Sequence, residues 1–179
     1  SPNACIIMGE KPHFVSVSDI LKHSVAHTKA LLLRELEIKL AELNEDWHYS
    51  SLEKIFIEKR IYRDIEDKTT WEAVLKAIDD GLKPYKKKFR RAITQDDIIR
   101  LTEIKIKRIS KFDSFKADEH IKGVEADIAE VKNNIANLND YSIRYYENLL
   151  KKYGKGRERK TEIRPFETIH ATTVAIANA

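Results

Sequence analysis

The chain has 179 residues, 42% hydrophobic and 35% charged, with five glycines and four prolines. This balance disfavours a compact sandwich or a parallel sheet and favours long solvated helices, while a formal net charge of +4 permits a nucleic-acid partner without arguing for one. Cys5 is the single cysteine, which excludes an internal disulfide and fits a reducing compartment, and no apolar run is long enough to span a bilayer.

Ser1 to Ile7 has no basic segment ahead of an apolar core, so no secretory signal is expected there. The chain opens mid-pattern with Ala4-Cys5-Ile6-Ile7-Met8 and ends on the strand-like Thr172-Thr173-Val174-Ala175-Ile176, as a segment cut from a longer polypeptide would. Ala4 to Met8 and Phe14 to Val17 read as two short strands around Gly9-Glu10-Lys11-Pro12, a hairpin marginal by itself. Ser18 is the expected N-cap of a helix running to about Glu45. Its apolar residues Leu21, Val25, Thr28 and Leu32, then Leu33, Leu36, Leu40 and Leu43, lie at steps of three and four.

Residues 47–112 differ in character. Ser50 or Ser51 is positioned to cap a helix through about Asp64. Thr69 and Glu72 form a capping box for a short helix ending near Gly81, placed as a C′ glycine. Lys83 to Arg91 reads as a basic loop broken by Pro84. Thr94 caps a helix to about Ser110, with Asp96 and Asp97 favouring its positive end. Asp113 caps the last long helix and Gly154 ends it. Along that helix Ile121, Val124, Ile128, Val131, Ile135, Leu138, Tyr145 and Leu149 form a heptad series broken only at Ser142.

A helix with one apolar stripe needs a partner. The simplest partner for residues 113–154 is the helix of residues 18–46. The expected fold is mainly α: a long antiparallel coiled-coil arm, roughly 40–50 Å at 1.5 Å per residue, capped by a small helical head at residues 47–112. Short β segments lie at the N-terminus and C-terminus. In the helix of residues 95–110, Ile98, Leu101 and Ile109 lie broadly on one side, Ile99 and Ile106 on another, and Ile104 elsewhere. Either a partner protomer or the head's own core could account for that.

Residues with catalytic potential are few. His23 and His27 stand four apart, as zinc ligands can, but residue 24 is Ser and no third ligand is near. Arg144-Tyr145-Tyr146 could supply a nucleophile with a cationic helper, yet Tyr145 falls on the heptad seam, where its ring should be packed. There is no phosphate-cradling glycine loop and no recognisable Ser/His/Asp signature. Lys86, Lys87, Lys88, Arg90 and Arg91, interleaved with Tyr85 and Phe89, read as a solvated loop or as a nucleic-acid contact. Residues 151–164 form a second basic segment, with more cationic residues in all.

Several segments in order resemble the A subunits of bacterial type IIA DNA topoisomerases, topoisomerase IV more than gyrase. They are Gly9-Glu10-Lys11-Pro12, Asp19-Ile20-Leu21, Ala41-Glu42-Leu43, Ser51-Leu52-Glu53-Lys54-Ile55-Phe56-Ile57-Glu58, Thr94-Gln95-Asp96-Asp97-Ile98-Ile99-Arg100-Leu101 and Lys105-Ile106-Lys107-Arg108-Ile109. Tyr153-Gly154-Lys155-Gly156-Arg157-Glu158-Arg159-Lys160-Thr161-Glu162-Ile163 completes the series. Each motif alone is weak; their order and spacing are specific.

The resemblance implies a breakage-and-rejoining protein that works as a homodimer, with the coiled-coil arm ending in a dimerising head, the exit gate or C-gate. Residues 1–17 would end the tower region, and residues 155–179 would form a basic exit segment, with 166–179 as the first strand toward a DNA-wrapping C-terminal domain. The family's catalytic tyrosine would lie upstream, outside this chain, so no catalysis is carried over to Tyr145 and no activity is expected of this segment alone. ATP and Mg²⁺ would belong to the partner B subunit, leaving no cofactor or metal site here. The parent would be an ATP-dependent isomerase passing one duplex through a transient double-strand break, cytoplasmic and nucleoid-associated, with no membrane partner. Ile98, Ile99, Leu101, Thr102, Lys105, Ile106 and Ile109 are the expected dimer interface. Lys151, Lys152, Lys155, Arg157, Arg159 and Lys160 are candidate DNA contacts. The competing readings are an antiparallel coiled-coil arm that binds nucleic acid through Lys83–Arg91, and a plain structural spacer.

Overall fold

Strands β1 (Cys5–Met8) and β2 (Lys11–Phe14) pair antiparallel, with Cys5 opposite Phe14 and Met8 opposite Lys11. The structure, a computed structural model, describes residues 4–162, in two units: one ends at Ser142 and the other begins at Ile143. The strand expected at residues 172–176, and the whole of 166–179, lie outside the described residues. The hairpin turns on Gly9 and Glu10, both at positive φ (54° and 66°). That two-residue geometry matches the twist of paired strands. The second strand therefore starts at Lys11, before the predicted Phe14, and ends there.

Helix α1 spans Val17–Glu58, 42 residues without interruption. Its N-cap is Ser16 rather than Ser18: the Ser16 hydroxyl accepts from the Asp19 N–H at 3.2 Å and donates to the Asp19 carboxylate at 2.6 Å. The predicted stop near Glu45 and restart at Ser50 do not occur. No Gly or Pro lies between residues 17 and 58, and Ser50 hydrogen-bonds Asp46 within the helix at 3.0 Å instead of capping a new one. At about 60 Å for its length, α1 serves first the arm and then the head. It ends where Arg60 adopts the left-handed conformation, φ 56°, and the Arg60 N–H returns to the Ile57 carbonyl at 3.1 Å.

A 3₁₀ turn at Ile61–Arg63 leads to α2 (Trp71–Leu82). The cap is Thr70, one residue later than predicted, accepting from Ala73 N–H at 3.3 Å. Gly81 lies inside α2 rather than after it. A Cβ there would come within 2.8 Å of Ile61 Cγ2, so this glycine serves close approach rather than termination. Lys83–Lys88 forms a further 3₁₀ segment, with Pro84 in its first turn.

The predicted helix of residues 95–110 is two helices, α3 (Gln95–Thr102) and α4 (Ile106–Ser110). The Thr102 hydroxyl donates to the Ile99 carbonyl at 2.6 Å as α3 ends. The break lets Ile104 and Ile109 both pack on the core, which a single straight helix with apolar residues all round could not do. The last long helix is likewise divided, into α5 (Ser114–Ala136) and α6 (Leu138–Tyr153). At the junction the Asn137 side chain donates to the Asn133 carbonyl and carboxamide oxygens at 3.0 and 2.9 Å, the local competition with the backbone that makes asparagine a poor helix-interior residue. Asp113 caps α5 as predicted, accepting from Phe115 and Lys116 N–H.

Helices α1 and α5 are antiparallel partners. Trp47 bonds Glu125, Asp46 bonds His120, Lys54 bonds Asp118 and Glu58 bonds Ser114, so the chain descends one helix as it climbs the other. Leu43, Val124 and Ile128 are buried between them, with Leu40, Trp47 and Val131 alongside. Ser142, the one polar interruption in the heptad, is buried, and its hydroxyl is satisfied by the Leu138 carbonyl at 2.7 Å. Leu21 and Val25, predicted on the same stripe, are exposed. The head has its own core of Leu52, Phe56, Ile57, Ile61, Ile78, Leu82, Ile98 and Leu101. Leu52, Phe56 and Ile57 come from α1, so one continuous helix supplies both the arm seam and the head core.

Candidate interaction surface on the head

The head is built around the N-terminus of α3. Thr94 and Asp97 form a reciprocal capping box: the Thr94 hydroxyl accepts from Asp97 N–H at 3.3 Å, and Asp97 Oδ2 accepts from Thr94 N–H at 2.8 Å. Asp97 also receives both Arg91 terminal nitrogens, at 2.7 and 3.0 Å, and lies 3.2 Å from His48 Nε2. Arg91 binds Glu45 with a second pair of hydrogen bonds at 2.9 and 2.8 Å. Burial pushes the Asp97 carboxyl up, but the bonds from Arg91, Thr94 and His48 together hold it well below the usual carboxylate range. Glu45 is lowered chiefly by its bond to Arg91, and Arg91 is raised by Asp97 and Glu45, so Glu45, Arg91 and Asp97 are ionised at neutral pH. It fastens α3 to α1.

Sequence reasoning recognised Thr94 and Asp97 as a helix start but missed His48, Arg91 and Glu45. The signal was the absence of any breaker after Glu45, which carries α1 onward and places Glu45 and His48 on consecutive turns of one helix face.

Beside the clamp, the Arg90 guanidinium lies 4.5 Å over the Trp47 ring and donates to Asn44 at 2.9 Å. The Trp47 indole N–H donates to Glu125 at 2.9 Å. Arg108 grips Glu53 through two bonds at 2.8 and 3.0 Å, which tie α4 to α1 and raise the arginine further.

The seven residues expected at the dimer interface divide. Ile98 and Leu101 are 6% and 1% exposed and belong to the head's own core. Helix α3 turns both toward the head's own core, and of the two only Leu101 reaches the wall of a surface groove. Ile99, Thr102 and Ile109 are half-buried, while Lys105 and Ile106 are exposed. Thr102, Ile106 and Ile109 share a groove of about 390 Å³ with Phe56, Tyr62, Ile65, Leu101 and Ile104.

A family model for the A subunit of DNA gyrase/topoisomerase IV matches residues 1–147. The chain belongs to the DNA gyrase/topoisomerase IV A-subunit family. It is 32% identical over 178 residues to the A subunit of DNA topoisomerase 4 from Borreliella burgdorferi, covering 99% of this chain and 28% of that protein. It thus spans little more than a quarter of the relative's length.

In this segment of an A-subunit family member, the basic cluster of residues 83–91 is largely spent on internal pairing. Lys83 bonds Asp80 at 2.5 Å, Lys86 bonds Asp79 at 2.8 Å, Lys88 lies 5.6 Å over Tyr85, and Arg90 and Arg91 are engaged as above. Lys151, Lys152, Lys155, Arg157, Arg159 and Lys160 are all exposed, with Lys152 lying 5.2 Å over the Tyr153 ring. Tyr145 is 37% exposed and packs edge-to-face on Tyr146, with ring centroids 5.5 Å apart, rather than being enclosed as expected. His23 and His27 are exposed, and among the described residues no group of three or more His, Cys, Asp or Glu is placed to hold a metal ion. No helix among the described residues is long and apolar enough to cross a membrane.

Proposed function

We propose that this chain is the coiled-coil arm and exit-gate head of the A subunit of a topoisomerase IV, and that two copies meet head to head. The observation that carries the reading is the antiparallel pairing of α1 with α5 around an intervening helical head, in a chain similar along 99% of its length to the A subunit of a DNA topoisomerase 4. The role is mechanical. An arm helix that continues unbroken into the head core transmits displacement to the head instead of absorbing it at a hinge. The clamp of Glu45, Arg91, Asp97 and His48 fixes the head's angle on that helix.

Two heads related by a two-fold axis present the same patch to each other. A patch that must hold and then release a duplex suits a modest interface, on the order of 1,000–1,600 Å² in total. In the full protein the chemistry lies elsewhere: the strand-cleaving tyrosine precedes this segment, and the B subunit supplies ATP and Mg²⁺. The parent passes one duplex through a transient break in another, in the cytoplasm at the nucleoid. The exposed cations of residues 151–160 contact DNA as the chain leaves the arm.

Sedimentation equilibrium of the 179-residue chain across micromolar concentrations tests the reading. The expected mass is twice 20.8 kDa. A monomer throughout that range would remove the gate assignment.

A further inference from the structure

The head carries an exposed isoleucine at the edge of an apolar groove. Ile106, the first residue of α4, is 83% exposed, although Ile104 and Ile109 on either side pack against the core. Ile106 itself lines the edge of the apolar groove of about 390 Å³, whose other apolar walls include Phe56, Tyr62, Ile65, Leu101 and Ile104. Single exposed aliphatic residues are ordinary. One standing at the rim of an apolar groove on the same face is self-complementary, because a two-fold rotation makes the pairing reciprocal.

Charge agrees with that geometry. Ile106 is flanked by exposed Lys105 and Lys107, while Glu66 lines the groove and is also exposed. Seating the isoleucine of one copy in the groove of another brings the lysines beside the opposing glutamate. Such rim pairs fix orientation more than they add affinity. Resting on the dimer reading above, we propose that the occupant of this groove is Ile106 of a second copy of this chain, with Lys105 and Lys107 facing that copy's Glu66. The isoleucine plug is one anchor within that modest interface, so the two heads can separate without unpacking either head's core.

Two measurements on the 179-residue chain test it. Sedimentation of Ile106→Asp is expected to show a dimer dissociation constant raised at least roughly 30-fold, as for the loss of a central apolar anchor, with the far-ultraviolet circular dichroism of the wild type. Second, in a Cys5→Ser background, Ile106→Cys chains are mixed with Thr102→Cys chains under mild oxidation. A disulfide joining the two kinds of chain is expected, because Thr102 lines the groove and such a bond requires close Cα atoms. If the wild type dimerises but Ile106→Asp keeps its affinity, or if no mixed disulfide forms, the plug is overturned and the dimer stands. If the wild type is monomeric, both fall.

Discussion

Arg91 holds Asp97 with both terminal guanidinium nitrogens, at 2.7 and 3.0 Å, while its other edge holds Glu45 on α1. Asp97 is simultaneously the N3 residue of the α3 capping box. One carboxylate thus starts a helix and fastens it to the arm.

Asp97→Asn keeps an acceptor for Thr94 but removes the charge that Arg91 and His48 face. The expected cost is about 2 kcal/mol, below that of a fully buried pair because Arg91 is part-exposed. The pH dependence follows from the sign. The folded carboxyl is depressed below its unfolded value, so its stabilisation is complete above the unfolded pKa of about 3.9 and declines as pH falls below that. Urea unfolding from pH 5 to pH 2.5 should therefore show a steeper acid loss in the wild type than in Asp97→Asn.

His48 is 2% exposed, and its Nδ1 has no hydrogen-bond partner among the described residues. Its ring packs edge-to-face on Phe89 at 5.2 Å. Asp97 keeps its bonds to Arg91 and Thr94 without it. His48→Leu should cost less than Asp97→Asn, within about 1 kcal/mol of the wild type, since it removes an unpaired polar atom along with a bond. A loss exceeding that of Asp97→Asn in the same urea series would contradict this ranking.

The same substitution at two glycines should have opposite signs. Gly123 lies inside α5 with nothing within 4 Å of an added Cβ, so Gly123→Ala should raise stability by about 0.5–1 kcal/mol through helix propensity. At Gly81 the added Cβ meets the buried Ile61 side chain at 2.8 and 3.3 Å. Overpacking there outweighs propensity, and Gly81→Ala should lose about 1–2 kcal/mol. Thermal unfolding of the pair checks both.

Replacing Lys151, Lys152, Lys155, Arg157, Arg159 and Lys160 together by alanine should weaken duplex DNA binding and flatten its salt dependence. Lys87→Ala should leave DNA affinity unchanged while Arg90→Ala lowers stability, because Arg90 covers Trp47 and bonds Asn44. Fluorescence anisotropy over a salt series distinguishes the two segments; equal losses from both would refute the assignment.

Much of the fold was legible locally. The Leu43, Val124 and Ile128 seam, the Asp113 and Thr94 caps and the helical end at Tyr153 follow from periodicity and capping chemistry read over a few residues. Two of the misplaced boundaries arose where a local signal competed with packing. Ser50 is a good cap residue, yet it sits in a helix that packing continues on both sides. Gly81 is a good terminator, yet its lack of a side chain is used against Ile61, twenty positions earlier. The candidate surface was legible as a set of isoleucines but not as a surface. The break between α3 and α4 decides which of them face inward.

Neighbouring residues alone specify a helical chain with two long amphipathic limbs and a head between them, because stripe periodicity and caps are local properties. The order of the motifs also pointed to the family. Two features needed the folded chain: the joining of Arg91, Asp97, Glu45 and His48 in one clamp, and the division of Ile98 and Leu101 as core from Ile106 as surface. Each depends on contacts between residues far apart in the chain, and burial is settled by what the fold brings alongside a residue.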